Sequence, residues 1–308
     1  MFGTLKRVRR LYQWLSNLEH RSGLQALPTV SDYKNPKVLT GTLLSHMNLE
    51  RVPHELRDIE FQVFSQFGDD GIIQYLVHSL PIRERTFVEF GVENYTEANT
   101  RFLLVKDKWS GLVLDGSQSN IAYIRNDSIS RLFDLRAKQA FITAENINRL
   151  LADESFDGTV GLLSIDIDGM DYWVWDALDA VKPAIVVIEY NALFGPERSI
   201  VVPYDPDFAR EKAHPSRLYW GASLKALENL AAKKGYAFVG CNGNGNNAYF
   251  ICNQYAELPS VAGLKPRYQQ ASFAEYEVDG HRPRLDDALR VIRGLPVINT
   301  VSSESEPL

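Results

Sequence analysis

The stretch TFVEFGVENYTEANTRFLL, residues 86–104, decides the fold class of this chain. A short apolar run ends in Glu89, Phe90 and Gly91, a polar loop follows, and a helical pattern begins a few residues later. That succession is typical of the first strand and crossover helix of an α/β sheet. The loop holds a single glycine where a dinucleotide-binding loop has three, so its ligand must differ from a dinucleotide.

The same alternation of short apolar runs and helical stretches continues along the chain. The predicted strands are residues 86–90, 111–115, 138–143, 161–167, 184–190, 236–241 and 248–252. Helical stretches separate the first six, whereas only NGNGNN (242–247) separates the last two, which therefore form an antiparallel hairpin. The sequence predicts a Rossmann-like α/β fold, in which five parallel strands and a C-terminal antiparallel hairpin form a seven-stranded sheet with helices on both faces.

Composition and charge narrow the class of protein. A chain of 308 residues with 45% hydrophobic residues can bury a full core. Its formal charge of -6 gives nucleic acid little electrostatic attraction, so we expect no nucleic-acid partner. The two cysteines, Cys241 and Cys252, form neither a disulfide framework nor a C-x-x-C motif, which favours reduced thiols and a cytoplasmic protein.

The ends of the chain differ from its middle. We divide it into an N-terminal helical extension (1–60), a ligand-binding domain (61–256) and a C-terminal extension with a frayed tail (257–308). The first 20 residues read as a basic amphipathic helix without the apolar segment of a signal peptide. We expect it to pack on its own domain, with peripheral contact at the inner face of a membrane or with a partner as the alternative.

Each of the five predicted parallel strands has an acid at or next to its carboxyl end. These acids are Glu89, Asp115, Glu145, Asp166 with Asp168, and Glu189. Ligands of open parallel sheets bind beyond these strand ends, near the point where the strand order switches. Because like charges repel, such a rim favours a ligand with hydroxyl groups and a positive centre, or a divalent metal.

Asp115 indicates a ribose. An acid at the end of the second strand accepts hydrogen bonds from both ribose hydroxyls in nucleotide-binding α/β folds. A pyrophosphate would also need glycines after Gly91, but Val92 and Glu93 follow it. The loop favours a nucleoside without phosphates.

Five stretches of residues 61–256 carry a family resemblance, namely FVEFGVENYTEANTRFLL, GLVLDGS, AFITAEN, LLSIDIDGMDYWVWDAL and AIVVIEYN. In order and spacing they resemble the class I S-adenosylmethionine-dependent methyltransferases, of the FkbM-like and related sugar O-methyltransferase type. The resemblance implies an S-adenosylmethionine cofactor and methylation of a sugar hydroxyl in polysaccharide or glycosylated natural-product biosynthesis. The cofactor-binding residues that it implies are Glu89, Gly91, Glu93, Asp115, Gly116, Ser117, Glu145 and Asp166, with Glu145 at the adenine and Asp166 beside the sulfonium and the acceptor.

Four oxygen donors follow the fourth and fifth strands, namely Asp166, Asp168, Glu189 and Asn191. Such a set suits Mg²⁺, which would clamp a diol and lower the pKa of its hydroxyl. The alternative is that Asp166 and Asp168 cap the helix that begins near Met170, while Glu189 contacts the substrate.

Methyl transfer to a hydroxyl requires a group that accepts its proton. His214 lies in the long segment 192–220 after the fifth strand, where acceptor-covering loops usually lie, and Asp171 competes with it. The candidate catalytic residues are Asp166, Asp168 and His214. Two further side chains of this segment, Arg198 and Tyr204, are candidate binders of hydroxyl or carboxylate groups.

Two other functions fit parts of the sequence. The Asp-x-Asp of Asp166 and Asp168 also occurs in metal-dependent glycosyltransferases, although a two-residue motif is weak evidence. The glycine-poor loop after Gly91 would also fit a non-catalytic binding protein that keeps the methyltransferase fold.

Overall fold

The computed structural model describes residues 35–272 and 285–308, and its main sheet has seven strands. These strands are β1 (Thr86–Phe90), β2 (Ser110–Asp115), β3 (Leu135–Gln139), β4 (Gly158–Ile165), β5 (Val181–Glu189), β7 (Tyr236–Cys241) and β8 (Asn247–Cys252). Their order in the sheet is β3-β2-β1-β4-β5-β8-β7. The first five are parallel, and β8 runs antiparallel to both β5 and β7. The predicted seven-stranded sheet with a reversed strand next to its edge is therefore confirmed.

Helices cover both faces of this sheet. They are α1 (Pro36–Leu49), α2 (Asp69–Ser79), α3 (Arg101–Asp107), α4 (Gln118–Asn126), α5 (Ile129–Leu132), α6 (Ile147–Asp153), α7 (Asp171–Ala177), α8 (Arg210–Ala213), α9 (Leu224–Lys234) and α10 (Leu285–Ile292). Helices α6, α7 and α9 bury apolar residues against one face, and α2, α3 and α4 against the other. None of the helices in the described ranges is long and apolar enough to cross a bilayer. The predicted amphipathic N-terminal helix lies outside the described residues.

Alternation along the central strands explains the two-sided core. In β1, Val88 and Phe90 pack in the cluster on one face, while Phe87 packs in the cluster on the other. In β4, Leu163 packs in the same cluster as Val88, and Leu162 packs in the same cluster as Phe87. Strands buried on both faces read as nearly continuous apolar runs, which is why these strands were recognisable in the sequence.

The third strand was predicted at residues 138–143, and this placement is wrong. The strand β3 is LRAKQ, residues Leu135–Gln139, at the edge of the sheet. An edge strand tolerates exposed polar side chains, so its sequence lacks an apolar run. The apolar residues that suggested a strand lie beyond its end, where Ile142 is buried and Phe141 is exposed.

A second sheet joins the segment after β5 to the end of the chain. It consists of β6 (Ile200–Val201), β9 (Pro296–Asn299) and β10 (Ser305–Pro307), in the order β10-β9-β6 and antiparallel throughout. The tail predicted to fray instead contributes β10, because its backbone pairs with β9 and the Arg198 guanidinium bonds Glu306 at 2.6 Å. Arg198, a candidate ligand binder, is thus occupied by the C-terminal tail.

The ends of β1 and β4 meet at Gly91. The Gly91 amide donates to the Leu114 carbonyl at 2.9 Å, and Gly91 has a positive φ of 71°. A Cβ atom at this position would lie 1.6 Å from the Asp166 carbonyl oxygen. Only glycine allows so close an approach of the two strand ends.

Replacing Gly91 should destabilise the protein more than backbone strain alone can. Gly195→Ala provides the matched control, since Gly195 has a φ of 72° and no atom within 4 Å of its missing Cβ. We expect Gly195→Ala to lower the free energy of unfolding by about 1–3 kcal/mol, the cost of a sparsely populated backbone conformation with positive φ. Gly91→Ala should lose clearly more, as measured by urea denaturation. Equal losses in the two variants would contradict the clash.

Candidate functional site

The carboxyl edge of the sheet opens into two adjoining cavities of about 190 Å³ each. The first, which we call the apolar chamber, is lined mainly by Leu114, Asp115, Gly116, Phe141, Ile142, Thr143, Met170, Tyr204 and Phe208. The second, the polar chamber, is lined mainly by Gln66, Glu89, Glu97, Asn99, Glu189, Arg210, Asn246 and Asn247. Gly91, Glu93, Asp166 and Asp168 line both chambers. The chambers meet between β1 and β4, where the strand order reverses and α/β sheets bind ligands.

Asp115 organises the loops at one end of the apolar chamber. Its Oδ2 accepts from the Glu93 amide at 2.8 Å, and its Oδ1 accepts from the Ser117 amide at 2.8 Å and the Asn120 side chain at 3.2 Å. A carboxylate offers about four acceptor positions, so one remains for a ligand. Ser117, a predicted cofactor-binding residue, caps α4, since its hydroxyl accepts from the Asn120 amide at 3.3 Å.

Glu89 holds the loop that follows β1. Its carboxylate accepts from the amides of Asn99 at 2.8 Å and Thr100 at 3.1 Å, and from the Thr100 hydroxyl. Burial raises the pKa of Glu89 to about 7, against the opposing effect of these hydrogen bonds. Glu89 lines the polar chamber but uses its oxygens chiefly to position the start of α3.

Asp166 and Glu189 lie together where the chambers meet. Burial, followed by repulsion between neighbouring carboxylates, raises the pKa of both groups well above the usual range. The Glu189 Oε2 atom is buried and has no hydrogen-bond partner within the described part of the chain. Because two adjacent buried carboxyl groups cannot both easily carry a negative charge, Asp166 and Glu189 favour sharing one proton.

Asp171, a candidate base, fixes the loop between β4 and α7. Its two oxygens accept from the amides of Ile167 and Gly169, each at 2.9 Å, and burial raises its pKa to about 6. The N-cap residue of α7 is Met170, without a side-chain cap bond. The alternative in which Asp166 and Asp168 cap this helix is therefore wrong.

The four predicted metal ligands do not converge. The Asn191 oxygen accepts from the Leu193 amide at 3.0 Å, while its nitrogen donates to the Leu218 and Trp220 carbonyls. Asp168 is exposed and pairs with Arg210 at 3.1 Å. Across residues 35–272 and 285–308, no three or more acidic, histidine or cysteine side chains are grouped so as to hold a metal ion. These residues do not fit the predicted Mg²⁺ site.

Two other predicted site residues lie outside both chambers. His214 lines neither chamber, and its Nδ1 accepts from the Ser216 amide at 3.2 Å. Glu145 is exposed and accepts from the Tyr204 hydroxyl at 2.6 Å, a bond that lowers the pKa of Glu145. The wall of the apolar chamber includes Phe141, an aromatic side chain that is 59% exposed, and not Glu145.

Several chamber residues escaped the sequence analysis. The loop 242–247 was interpreted only as a hairpin turn, yet Asn246 and Asn247 line the polar chamber. Arg210 also lines it, and its guanidinium lies 4.5 Å from the centre of the Trp220 ring. The available signal was the run of asparagines in NGNGNN, which exceeds what a hairpin turn requires.

Comparison with known proteins identifies no family. No family model and no curated protein matches the chain. Among solved structures, an O-methyltransferase from Bacillus cereus in complex with SAH is 11% identical, over 70% of this chain and 89% of that chain, with a TM-score of 0.40. An S-adenosylmethionine-dependent methyltransferase from Clostridium acetobutylicum is 11% identical, over 68% and 98%, with a TM-score of 0.39. Similarities this low do not assign a function.

Buried Glu89 should make stability depend on pH. Its pKa is raised from 4.5 to about 7, so between these values the folded state keeps a proton that the unfolded state has lost. Stability from this group is full below about pH 4.5 and is lost as the pH rises through about 7, by at most about 3 kcal/mol. Urea denaturation between about pH 5 and 8 should show a shallower fall in unfolding free energy for Glu89→Gln than for the wild type.

The matched control for this measurement is Glu97→Gln, an exposed side chain at the same chamber. Its unfolding free energy should follow the wild-type pH profile. If Glu89→Gln followed that profile as well, Glu89 would not be the source of the pH dependence.

Proposed function

We propose that this protein is an S-adenosylmethionine-dependent O-methyltransferase that acts on a sugar hydroxyl. The observation that supports it most directly is the junction of an apolar and a carboxylate-lined chamber at Asp166, beside the switch point of the sheet. The apolar chamber would hold the nucleoside, and a cation is favoured among the acids. Phosphates are disfavoured there, which separates this ligand from a dinucleotide. Because a fold hosts many functions, the proposal rests on the site.

Residues of the apolar chamber would hold the cofactor. The remaining acceptor position of Asp115 would bind the ribose, and the exposed ring of Phe141 with Ile142 would cover the adenine. Gly116 leaves room for the ligand, since a Cβ atom there would meet no atom closer than Phe141 Cδ2 at 3.7 Å. When bound, S-adenosylmethionine supplies an electrophilic methyl group on a sulfonium. Three acids line both chambers; Asp168 is paired with Arg210, and Glu93 and Asp166 would face this positive charge.

Residues of the polar chamber would position the acceptor and take its proton. Asp166 and Glu189 stand at the junction, and the unpartnered Glu189 oxygen can accept a hydrogen bond from a hydroxyl. Most of the rate enhancement would come from holding the acceptor oxygen in line with the methyl group, an effect of proximity and orientation. Asp168 would contribute through its ion pair with Arg210. His214 and Asn191 line neither chamber, so neither would contact the cofactor or the acceptor.

The wider setting remains a prediction from the sequence. We place the enzyme in the cytoplasm, in the assembly of a polysaccharide or a glycosylated natural product. The basic N-terminal helix would serve peripheral membrane contact or a partner. We retain the proposed division at residues 60 and 256, with β9 of the C-terminal extension pairing with β6 of the ligand-binding domain.

Binding of S-adenosylmethionine tests the proposal directly. We expect micromolar binding by calorimetry, and Asp115→Asn should weaken it by about 10–100-fold because a hydrogen bond to a charged group is lost. The control is Asp157→Asn, an exposed acid at the opposite edge of the sheet. Binding of a UDP-sugar with Mn²⁺, without response to S-adenosylmethionine, would establish the glycosyltransferase alternative instead.

Tight binding without catalysis would favour the non-catalytic alternative. The measurement is release of S-adenosylhomocysteine in the presence of candidate glycans, and Asp166→Ala should abolish that release. Wild-type protein that binds the cofactor yet matches Asp166→Ala in this assay would be a binding protein.

Chelation should leave methyl transfer unchanged, because the predicted ligands do not converge on one point. Activity is compared in EDTA and in EDTA saturated with Mg²⁺, which controls for effects of the chelator itself. A loss in EDTA that Mg²⁺ restores would show that the acids rearrange around a metal.

A further inference from the structure

We infer that the polar chamber is the acceptor subsite, that Asn246 and Asn247 bind neighbouring hydroxyl groups there, and that the acceptor sugar carries no acidic group. This inference rests on the proposed function and specifies its substrate. Three observations support it: the hydrogen bonds that fix the loop 242–247, the side-chain donor and acceptor atoms that these bonds leave without a partner among the described residues, and the negative charge of the chamber.

Asn242 folds the loop around its own side chain. Its Oδ1 accepts from three successive amides, those of Gly245 at 3.0 Å and of Asn246 and Asn247 at 3.2 Å each. Gly245 has a φ of 84°, and a Cβ there would lie 2.5 Å from the Gln270 carbonyl oxygen. The Asn242 side chain inside the loop and the Gln270 backbone packed against it therefore hold the loop in one conformation.

Asp69 anchors this loop from below. Asp69 is fully buried, and its Oδ1 accepts from the Asn242 and Asn247 side-chain nitrogens, each at 3.0 Å, and from the Tyr249 hydroxyl at 2.5 Å. An oxygen that accepts from three groups requires donors on all sides, so the Asn247 nitrogen must face Asp69. The Asn247 oxygen consequently points away from Asp69.

The same reasoning fixes the orientation of Asn246. The oxygen of Asn242 is engaged by backbone amides, so its nitrogen is the donor to the Asn246 oxygen at 2.8 Å. This leaves the Asn246 nitrogen and the Asn247 oxygen without a partner among the described residues, and both side chains line the polar chamber.

Glu189 completes a set of three free groups. It lies directly opposite Asn247 in the antiparallel pairing of β5 and β8, and its Oε2 is buried without a partner in the described ranges. The donor of this set is the Asn246 side-chain nitrogen, and its two acceptors are the Asn247 side-chain oxygen and Glu189 Oε2. Neighbouring hydroxyls of a sugar match it, because each hydroxyl both donates and accepts.

The charge of the chamber selects against acidic sugars. Six acids line it, namely Glu89, Glu93, Glu97, Asp166, Asp168 and Glu189. Asp166 and Glu189 favour sharing one proton, Glu89 has a pKa of about 7, and Arg210, the cation among the described lining residues, is paired with Asp168. The exposed Glu93 and Glu97, with the remaining charge of the Asp166–Glu189 pair, leave the chamber negative. A uronate or a phosphate would face repulsion in this chamber. A neutral sugar would not.

Saturation-transfer NMR on the full chain saturated with SAH tests the inference. The probes are methyl α-D-glucopyranoside, methyl α-D-galactopyranoside, methyl α-L-rhamnopyranoside and methyl α-D-glucopyranosiduronate. We expect a neutral glycoside to bind, the uronate to bind at least about tenfold more weakly, and Asn246→Asp to weaken the neutral glycoside about tenfold. Asn246→Ala should do the same without added charge. Affinity for SAH should stay unchanged in both variants.

The matched control is Asn253→Asp, the same change beyond the other end of β8, where the side chain is exposed. It should leave glycoside binding unaltered. The inference is overturned if the uronate binds as tightly as the neutral glycosides, if both Asn246 variants bind like the wild type, or if SAH binds and no neutral glycoside does. Failure of SAH itself to bind would instead refute the proposed function.

Discussion

The contact of the Gly91 backbone with the Asp166 carbonyl is the constraint on which the site depends. It allows β1 and β4 to approach at the point where the strand order reverses, so the loops after both strands face each other. A side chain at residue 91 would separate them. The apolar and polar chambers share Gly91 and Asp166 for this reason, and a ligand in one chamber would adjoin a ligand in the other.

The acids at the carboxyl edge of the sheet form two groups, which differ in the atoms that their carboxylate oxygens contact. Glu89 and Asp171 accept from backbone amides and hold loops. Asp166 and Glu189 instead face each other with raised pKa values. Because a buried carboxylate is costly unless satisfied, chemistry is expected at this pair, whose Glu189 Oε2 atom is unpartnered and which lines the polar chamber. The satisfied acids give the pair a rigid frame.

The central sheet was predictable because its strands are buried on both faces, whereas other features depended on contacts distant in sequence. The edge strand β3 is polar, so no local pattern marked it. Strands of two to four residues, such as β6 and β10, are too short to show a period. At the site, residue types indicated which strand ends carry acids. They could not show that Asn191 is held by carbonyls near Trp220, nor that Asp69 turns the hairpin asparagines toward a chamber.

The second sheet also sets the order in which the site can form. The segment after β5 reaches its place by pairing Ile200 with Asn299, and Arg198 is held by Glu306 near the end of the chain. On a ribosome Asn299 and Glu306 are made after all seven strands of the main sheet. Tyr204 and Phe208 of this segment line the apolar chamber and Arg210 lines the polar one, so β1 and β2 can pair while both chambers still lack these walls. Newly made chains would therefore acquire cofactor binding and activity together.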